Sequence, residues 1–418
     1  MRDQRGLHAT EIGLIPEDWD VVPLSDLFEF RNGFNTDKSA YGRGVPFVNI
    51  LEVITRSHLH VGDIPGLVDV PAGAGERFSV RCGDVLFNRT SETQEEVGLA
   101  AVYLDETNVV FGGFVIRGRP RAESPLQSQF AGYALRSAIV RTQMVARGQG
   151  AIHANIGQVD LGRVRLPVPG KDEQRAIAAV LDDSEQATST LRILIDKKRQ
   201  LRVAVARQLL MGELRLPGFD DEWSPASLGQ LGPFSKGTGV RKDQVSAEGL
   251  PCLRYGEIYT HHVDRVRIFN SFISRSVAAE SHRLSEGDLL FAGSGETSEE
   301  IGKCVVYLGD GEAYAGSDIV ILSPVRDDPL FLAYLLNQEP AARQKMRLGQ
   351  GDAVVHIGAR ALAQIELSLP SVDEQRAISE LISDVDDEIL TLEAQFAKVT
   401  DVKTGMSQEL LSGRTRLV

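Results

Sequence analysis

Many loop side chains in this sequence are of the types that bind nucleic acids. Arg and Lys bind phosphate oxygens, and Arg, Asn and Thr also form hydrogen bonds with base edges. In the first half of the chain we predict DNA-binding residues at Arg31, Asn32, Lys38, Tyr41, Arg43, Asn49, Asn88, Arg89 and Thr90. In the second half we predict them at Lys236, Thr238, Arg241, Lys242, Arg254, Tyr255 and Ser294. For any one of these residues, the alternative is a solvated loop position without a ligand.

The residue pattern supports catalytic or metal chemistry less well. His58 with His60, and the pair His261 and His262, lack a nearby third metal ligand, so we expect solvated histidines. Residues 291–295 resemble the F-x-G-x-G loop of S-adenosylmethionine-binding methyltransferases, but the equivalent residues 87–91 contain no glycine. The sequence also lacks a G-x-x-x-x-G-K-[ST] phosphate loop. We therefore predict no metal site and no bound cofactor in this chain, and no nuclease carboxylate cluster stands out.

Composition limits the classes of protein to which the chain can belong. The 418 residues carry 45 Lys and Arg against 58 Asp and Glu, a formal net charge of −13. That charge excludes a uniformly basic protein that coats DNA, although a local basic surface remains possible. The three cysteines, Cys82, Cys252 and Cys304, are far apart, which argues against a disulfide framework and a cysteine-rich zinc site. The N-terminal segment has no apolar stretch long enough for a signal peptide, and no apolar run in the chain is long enough to span a membrane, so we expect a cytoplasmic protein.

The second half of the chain repeats the first. The sequence D-E-Q-R-A-I occurs at residues 172–177 and again at 373–378. G-D-V-L-F at 83–87 matches G-D-L-L-F at 287–291, and Gly-Gln-Gly at 148–150 recurs at 349–351. Because several such blocks follow in the same order at a nearly constant offset, the chain is a tandem duplication. The predicted binding residues differ between the copies while the flanking framework repeats, as expected of two units with one scaffold and different targets.

A long helix is predicted at the end of each repeat. Residues 172–210 contain neither Pro nor Gly, and Ser371 with Glu374 forms a capping-box pattern before the second helix. Gly212 and Gly413 are placed to end the two helices. We predict that the helices pack through Ile177, Leu181, Leu191, Ile195, Val205, Ile378, Ile382, Val385, Ile389, Leu392, Phe396 and Val399, which recur at helical spacing.

Chain order predicts how the two helices pair. The first helix leads from one globular unit to the next, so the second must run antiparallel to it if the two pack together. We therefore predict an α+β fold in which two duplicated globular domains are separated by a long antiparallel two-helix coiled coil with a pseudo-two-fold axis. The alternative is that each helix is an ordinary core helix of its own unit.

Within the globular units, short apolar segments broken by Gly and Pro predict strands. Residues 46–53 are one such segment, and helical patterns are limited to residues 126–145 and 332–346. The predicted domain bounds are 1–170 and 214–369 for the globular units, and 171–213 and 370–418 for the helical segments.

These motifs together resemble the specificity (S) subunits of type I restriction–modification systems. The resemblance rests on P-x-x-x-E-Q-R-A-I at the start of each long helix, L-L-x-G-x-x-R-L at 209–216 and 410–417, and the G-D-[VL]-L-F strands. It covers essentially the whole chain. It implies that 1–170 and 214–369 are target-recognition domains, each reading one half of a split double-stranded DNA sequence. The helices would set the gap between the half-sites.

The resemblance also implies partners and excludes catalysis by this chain. Two methyltransferase (modification) subunits would dock on the helices and carry S-adenosylmethionine. Restriction (motor-nuclease) subunits would join them and use ATP and magnesium. Three alternatives remain open: a specificity-like subunit of another phage-defence methyltransferase, a non-DNA coiled-coil scaffold, or a methyltransferase–nuclease whose catalytic half is not evident.

Overall fold

The computed structural model describes residues 6–70, 74–150, 154–351 and 354–417. The chain divides into two compact units. Unit 1 comprises Met1–Arg192 and Ala394–Val418, and unit 2 comprises Ile193–Glu393. Each unit contains strands, short helices and part of both long helices, so the predicted α+β class and the duplication are confirmed. Among the described residues, no helix combines the length and apolarity needed to cross a membrane.

Unit 1 is built on short strands joined by short helices. Its strands are β1 (Leu7–Thr10), β2 (Gly13–Pro16), β3 (Asp20–Pro23), β4 (Phe28–Asn32), β5 (Tyr41–Val48), β6 (His58–Leu59), β7 (Leu67–Val68), β8 (Ser79–Val80), β9 (Val85–Asn88), β10 (Thr90–Ser91), β11 (Ala100–Tyr103), β12 (Val109–Phe111), β13 (Val115–Pro120), β14 (Ala154–Asn155) and β15 (Arg165–Val168). Its helices are α1 (Leu24–Leu27), α2 (Ile50–Thr55), α3 (Ala74–Arg77), α4 (Ser128–Ala134), α5 (Ala138–Arg147), α6 (Gln158–Gly162) and the first part of α7 (Lys171–Leu210).

Unit 2 repeats most of this succession of elements. Its strands are β16 (Ser224–Ser227), β17 (Phe234–Lys236), β18 (Leu250–Leu253), β19 (Ser271–Ile273), β20 (His282–Arg283), β21 (Leu289–Ala292), β22 (Ser294–Gly295), β23 (Cys304–Val306), β24 (Tyr314–Ala315), β25 (Ile319–Leu322), β26 (Val355–His356) and β27 (Glu366–Leu369). Its helices are α8 (Leu228–Leu231), α9 (Tyr255–Thr260), α10 (Arg275–Ala278), α11 (Pro329–Leu336), α12 (Glu339–Leu348), α13 (Ala359–Leu362) and the first part of α14 (Val372–Leu411).

Each unit contains two sheets of four or five strands, in addition to two-stranded sheets. In unit 1 the strand orders are β4-β13-β9-β11-β6 and β7-β5-β12-β8, and in unit 2 they are β17-β25-β21-β23 and β19-β18-β24-β20. The central strand β9 is buried on both faces, because Val85 and Phe87 belong to one hydrophobic core and Leu86 to another. In unit 2, Leu289 and Leu290 of β21 are divided between two cores in the same way. This explains why the strand is a continuous apolar run in the sequence.

The repeated Gly-Asp dipeptide before the central strand is a structural turn. Gly83 and Gly287 have φ angles of 86° and 89°, in the left-handed region that favours glycine. The Asp84 carboxylate accepts a hydrogen bond from the Arg81 backbone N–H at 2.9 Å, and Asp288 accepts one from Ser285 at 2.8 Å. Both residues of the dipeptide therefore serve the fold.

The predicted strand over residues 46–53 is wrong in its second half. Strand β5 ends at Val48, and α2 begins at Ile50. The Glu52 carboxylate accepts a hydrogen bond from the Asn49 backbone N–H at 2.9 Å, which satisfies a donor at the start of the helix. This local cap outweighs the strand propensity of the apolar residues that follow.

The long helices α7 and α14 pack antiparallel within each unit. In unit 1, Lys403 of α14 pairs with Glu185 of α7. In unit 2, Lys198 pairs with Glu388 at 2.6 Å, and Arg202 pairs with Asp386 at 2.9 Å. The helices end as predicted, because Gly212 and Gly413 both have φ of 68°.

The predicted packing residues of these helices are buried to different degrees. Those that are buried are Ile177, Leu181, Ile195, Ile378, Ile382 and Ile389, and those half-buried are Leu191, Val205, Val385, Leu392, Phe396 and Val399. Ile177 shares a core with Leu410 and the body of unit 1, and Ile378 shares one with Leu209 and the body of unit 2. The outer parts of each helix therefore also anchor the globular body of a unit.

Candidate nucleic-acid interface

A loop surface forms in unit 1 where strand β9 ends. The Arg89 backbone N–H donates to the Phe114 carbonyl at 2.8 Å. The Ile156 N–H donates to the Arg89 carbonyl at 3.0 Å, and β10 pairs with β14. Three segments that are distant in sequence therefore meet around Arg89.

Polar side chains on this surface are bonded to one another. Thr90 Oγ1 donates to Asn155 Oδ1 at 2.6 Å, and Gln158 Nε2 donates to Asn32 Oδ1 at 2.9 Å. Phe114, whose carbonyl accepts the Arg89 hydrogen bond, has a side chain that is 52% exposed. We call this set the unit 1 hairpin surface, and its members are Asn32, Arg89, Thr90, Phe114, Asn155 and Gln158.

Unit 2 repeats the backbone of this surface. The Gly293 N–H donates to the Asp318 carbonyl at 2.7 Å, and the Ile357 N–H donates to the Gly293 carbonyl at 3.0 Å. Ser294 Oγ lies 2.9 Å from His356 Nδ1, in the place of the Thr90–Asn155 contact. We call this set the unit 2 hairpin surface, and its members are Lys236, Gly293, Ser294, Asp318, Gln350 and His356.

The hairpin that ends at Asn155 in unit 1 and at His356 in unit 2 has the same backbone hydrogen bonds in both units. Gln149 and Asn155 exchange two backbone hydrogen bonds of 2.9 and 2.8 Å, and Gln350 and His356 exchange two of the same lengths. Gly150 has φ of 121°, and Gly351, its equivalent, has φ of 118°. These left-handed conformations account for the second glycine of each repeated Gly-Gln-Gly block.

The unit 2 surface contains one backbone outlier. Asp318 has φ of 64° and is the only non-glycine residue with positive φ within the described ranges. Its carboxylate lies 3.8 Å from the Lys236 ammonium. A Cβ at Gly293 would lie 2.8 Å from the Asp318 carbonyl oxygen, and one at Gly295 would lie 2.9 Å from the Tyr259 hydroxyl. The glycines that resemble a methyltransferase loop thus stand where neighbouring atoms approach closely.

A second group of predicted residues in unit 1 lies along strand β5. Lys38 is exposed just before the strand, Tyr41 contacts Phe47 edge to face, and Arg43 pairs with Asp69 at 3.3 Å. Asn49 caps helix α2, directly after the strand. Arg31 is exposed on β4, and its guanidinium donates to the Arg77 carbonyl at 3.1 Å.

The corresponding residues of unit 2 are mainly exposed. Thr238 donates its hydroxyl hydrogen to the Glu280 carbonyl at 3.0 Å, and Arg241 lies 3.7 Å from Asp243. Lys242 is exposed in the next short turn. Arg254 is half-buried at the start of α9, where Tyr255 is exposed.

Two predicted residues are buried. Asn88 is fully buried, and its amide donates to the Glu96 carbonyl at 3.0 Å. Ser294 is 4% exposed and contacts His356. Neither side chain is therefore exposed for direct contact with a base in this conformation.

Strand β13 carries two arginines with shifted pKa values, the buried Arg117 and the half-buried Arg119. Arg117 lies opposite Arg31 in the β13–β4 register, and burial lowers the pKa of Arg117 to about 10. Arg119 donates two hydrogen bonds to Asp84, at 2.9 and 2.7 Å, and this contact raises the pKa of Arg119. Both guanidiniums stay charged at neutral pH.

The repeated helix motifs form one Arg–Glu ion pair in each unit, Arg416–Glu173 and Arg215–Glu374, which we call the clamp. In unit 1, Arg416 bonds Glu173 through two nitrogens, at 2.5 and 2.8 Å, and lies over the Trp19 ring. In unit 2, Arg215 bonds Glu374 at 2.7 and 2.8 Å. The Arg that follows one long helix therefore binds the Glu that begins the other.

The glutamine of the E-Q motif anchors each helix start to its own unit. The Gln174 amide donates to the carbonyls of Pro125 and Pro169, at 3.1 and 2.9 Å. Gln375 donates to Pro370 and to the Asp327 carboxylate, at 3.1 and 2.8 Å. The motif thus has a structural role in both copies.

Comparison with known proteins identifies this duplicated architecture. The type I restriction modification DNA specificity domain matches the chain twice, over residues 16–197 and 220–399. The chain belongs to this family. The resemblance inferred from the helix motifs and the G-D-[VL]-L-F strands is therefore confirmed.

Relatives of this specificity-domain chain match nearly its full length. It is 23% identical to the MjaX type I restriction enzyme specificity subunit of Methanocaldococcus jannaschii, over 99% of this chain and 97% of that protein. Its fold is similar to the crystal structure of a type I restriction–modification S subunit from M. genitalium, with a TM-score of 0.59 and 16% identity, covering 94% of this chain and 96% of that one. A structure from a study of complex assembly and conformational transition of a type I system has a TM-score of 0.57 and 16% identity, covering 96% of this chain and 99% of that one.

Sequence reasoning missed several members of the two hairpin surfaces. The residues not predicted were Phe114, Asn155 and Gln158 in unit 1, and Gly293, Asp318, Gln350 and His356 in unit 2. The repeated Gly-Gln-Gly blocks were the available signal, because each block precedes the hairpin strand that carries Asn155 or His356.

Proposed function

We propose that this chain is the non-catalytic DNA-recognition subunit of a type I restriction–modification complex, and that each unit reads one half of a bipartite target. The observation that carries the proposal is the duplicated hairpin surface, whose backbone hydrogen bonds agree within 0.1 Å between the units while its side chains differ. One scaffold with two side-chain sets suits two different half-sites.

The hairpin surfaces have the chemistry needed to read base edges. Arg, Lys, Asn, Gln and His supply donors and acceptors, and base-edge contacts in the major groove distinguish all four base pairs. The exposed cations of the β5 region, Lys38 and Arg43, and of unit 2, Lys242, suit phosphate contacts. The net charge of −13 predicts that the chain alone binds DNA weakly and that partner subunits add phosphate contacts.

The long helices provide equivalent surfaces for two methyltransferase subunits. Leu201 on α7 and Val402 on α14 occupy the same position of the repeat and are 58% and 59% exposed. Exposed apolar side chains on helices favour protein contacts. In the proposed complex the methyltransferase subunits carry S-adenosylmethionine, and restriction subunits supply ATP- and magnesium-dependent translocation and cleavage.

Joining two readers in one chain increases both affinity and specificity. Binding of the first half-site makes binding of the second intramolecular, so the effective concentration of the second reader rises. The helices that run from one reader to the other set the gap in this proposal. A target with the wrong gap then loses one set of contacts.

The experiment is to co-express the chain with modification and restriction subunits of a type I system and to map methylated bases across the host genome. We expect methyladenine within a single bipartite motif with a constant gap. A continuous motif would contradict two-site reading. The absence of any motif, with all subunits assembled, would favour a non-DNA scaffold.

A further inference from the structure

We propose that His356 is a base-reading residue of unit 2, and that Ser294 is the positioning residue that orients its imidazole. Unit 2 would then select one base pair through a single ring nitrogen, Nε2. This inference rests on the proposed function and assigns the selection of one base pair to His356 and Ser294.

His356 is held both at its ring and at its main chain. Ser294 Oγ lies 2.9 Å from Nδ1, and Ser294 itself is almost fully buried, so it cannot move away easily. The main chain of His356 is held by two hydrogen bonds to Gln350, of 2.8 and 2.9 Å. A side chain fixed before binding loses less conformational entropy when it meets its ligand.

The second ring nitrogen is directed away from this support. His356 is an exposed residue, and within the described part of the chain no hydrogen bond involves its Nε2. In either neutral tautomer Nδ1 is engaged by Ser294, so Nε2 alone can contact a base. One atom can form one hydrogen bond with a base edge, as donor or as acceptor according to the tautomer.

Unit 1 has different chemistry at the same place. Asn155 occupies the equivalent hairpin position, and its Oδ1 accepts a hydrogen bond from Thr90. An asparagine amide presents a different set of donor and acceptor atoms from an imidazole. The two half-sites should therefore differ at the base pair that faces this position.

A charged pair lies at the same end of unit 2. The Gly293 backbone is bonded both to Asp318 and to Ile357, the neighbour of His356. Lys236, 3.8 Å from the Asp318 carboxylate, is exposed there and is suited to a phosphate oxygen. A base contact from His356 and a phosphate contact from Lys236 would together place the hairpin in a groove.

The test uses the full chain in its assembled complex. The variants are His356→Asn, which copies unit 1, and Ser294→Ala, which removes the orienting hydroxyl. The matched control is His261→Asn, because His261 is also exposed and its Nδ1 lies 2.6 Å from the neighbouring Thr260 hydroxyl. The readout is the base preference at every position of the methylated motif.

We expect His356→Asn to change the preferred base at one position of one half-site, with all other positions retained. Ser294→Ala should reduce the preference at that same position by at least threefold, and His261→Asn should leave the motif unchanged. If His356→Asn abolishes methylation, the base preference is measured instead by binding: the variant complex is used to select duplexes from a randomised DNA pool. Loss of preference at one position supports the assignment, and enrichment of the original motif overturns it.

The wild-type motif and base preferences in both His356→Asn and Ser294→Ala would also overturn the assignment. Replacement of residues 214–369 with the equivalent segment of another family member separates the two claims. If that exchange alters one half-site while His356→Asn does not, only the assignment of His356 fails. If the exchange alters neither half-site, the proposed function fails as well.

Discussion

Arg416 and Glu173 form a bidentate ion pair although 243 residues separate them in the chain. Glu173 is 3% exposed and also accepts a hydrogen bond from the Trp19 indole at 2.9 Å. Arg416 contacts Asp18 at 2.6 Å as well, and this hydrogen bond lowers the pKa of the Asp18 carboxyl. These contacts link the segment after the end of α14 to the start of α7.

Arg416→Ala is expected to destabilise unit 1. The substitution leaves the buried Glu173 carboxylate without its cation, which destabilises the fold. Because Arg416 is 32% exposed and partly screened by solvent, we expect the free energy of unfolding to fall by roughly 2–3 kcal/mol. Hydrogen exchange should rise at the start of α7 and at the end of α14, and urea unfolding should begin earlier. The control is Arg414→Ala, since Arg414 is 54% exposed and its partner Glu409 is 31% exposed, in contrast to the buried Glu173. Equal stability of the two variants would show that the clamp is dispensable.

Lys345→Met is expected to stabilise unit 2. Lys345 is 2% exposed, its ammonium donates one hydrogen bond to the Gly302 carbonyl at 2.8 Å, and burial lowers its pKa to about 8. The repeat places Met144 at the equivalent position in unit 1, where it is fully buried. Removing the buried charge should raise the free energy of unfolding at pH 7 by about 1–3 kcal/mol.

The pH dependence of this effect has a definite sign. The folded-state pKa of Lys345 is below its unfolded value of about 10.4, so the wild type loses stability as the pH falls from about 10 to 8. The advantage of Lys345→Met in urea unfolding should therefore be larger at pH 7 than at pH 9.5. Met144→Lys should have the opposite effect on unit 1. A pH-independent difference would contradict this account.

Leu201→Asp and Val402→Asp are expected to weaken methyltransferase association. Both residues are exposed on the long helices, so a charge there should leave the fold intact while it opposes an apolar contact. The affinity of each altered helix site for a methyltransferase subunit should fall about tenfold or more, which corresponds to a loss of about 1.4 kcal/mol in binding free energy. Gln200→Asp and Thr404→Asp place the same charge on nearby exposed residues as controls. Analytical ultracentrifugation should show complexes with one methyltransferase subunit for each single variant, and full assembly would contradict the docking site.

A seven-residue insertion in both long helices is expected to lengthen the recognised gap. The insertion sites are between Arg192 and Ile193 and between Glu393 and Ala394, where the chain passes between the units. Seven helical residues add about 10 Å, or roughly three base pairs of DNA. Mapping of the methylated motif should show unchanged half-sites with a wider gap. An unchanged gap would refute the role of the helices in spacing, and insertion in one helix alone should abolish methylation.

The long helices and the duplication could be predicted because their signals are local. Gly413 ends a helix through its own φ angle, and the spacing of Ile378 and Ile382 reports the face that is buried. The hairpin surfaces could not be predicted in this way, since Thr90 meets Asn155 across 65 residues and Ser294 meets His356 across 62. Such contacts depend on the tertiary fold.

Polar residue type alone was a poor guide to accessibility. Asn88 has the amide expected of a base-reading residue, yet it lies at the end of a buried strand and its donor is used by the Glu96 carbonyl. Glu173 and Arg416 belong to conspicuous sequence motifs, but their position in a clamp emerges only from the packing of one helix against the other. The sequence could locate these residues without showing what they contact.

The central claim is that each unit reads its own half of the target. The most direct measurement replaces residues 1–170 with those of another family member and maps the methylated motif of the assembled complex. We predict that one half-site changes while the other half-site and the gap remain the same. A change in both half-sites, or in neither, would contradict the account.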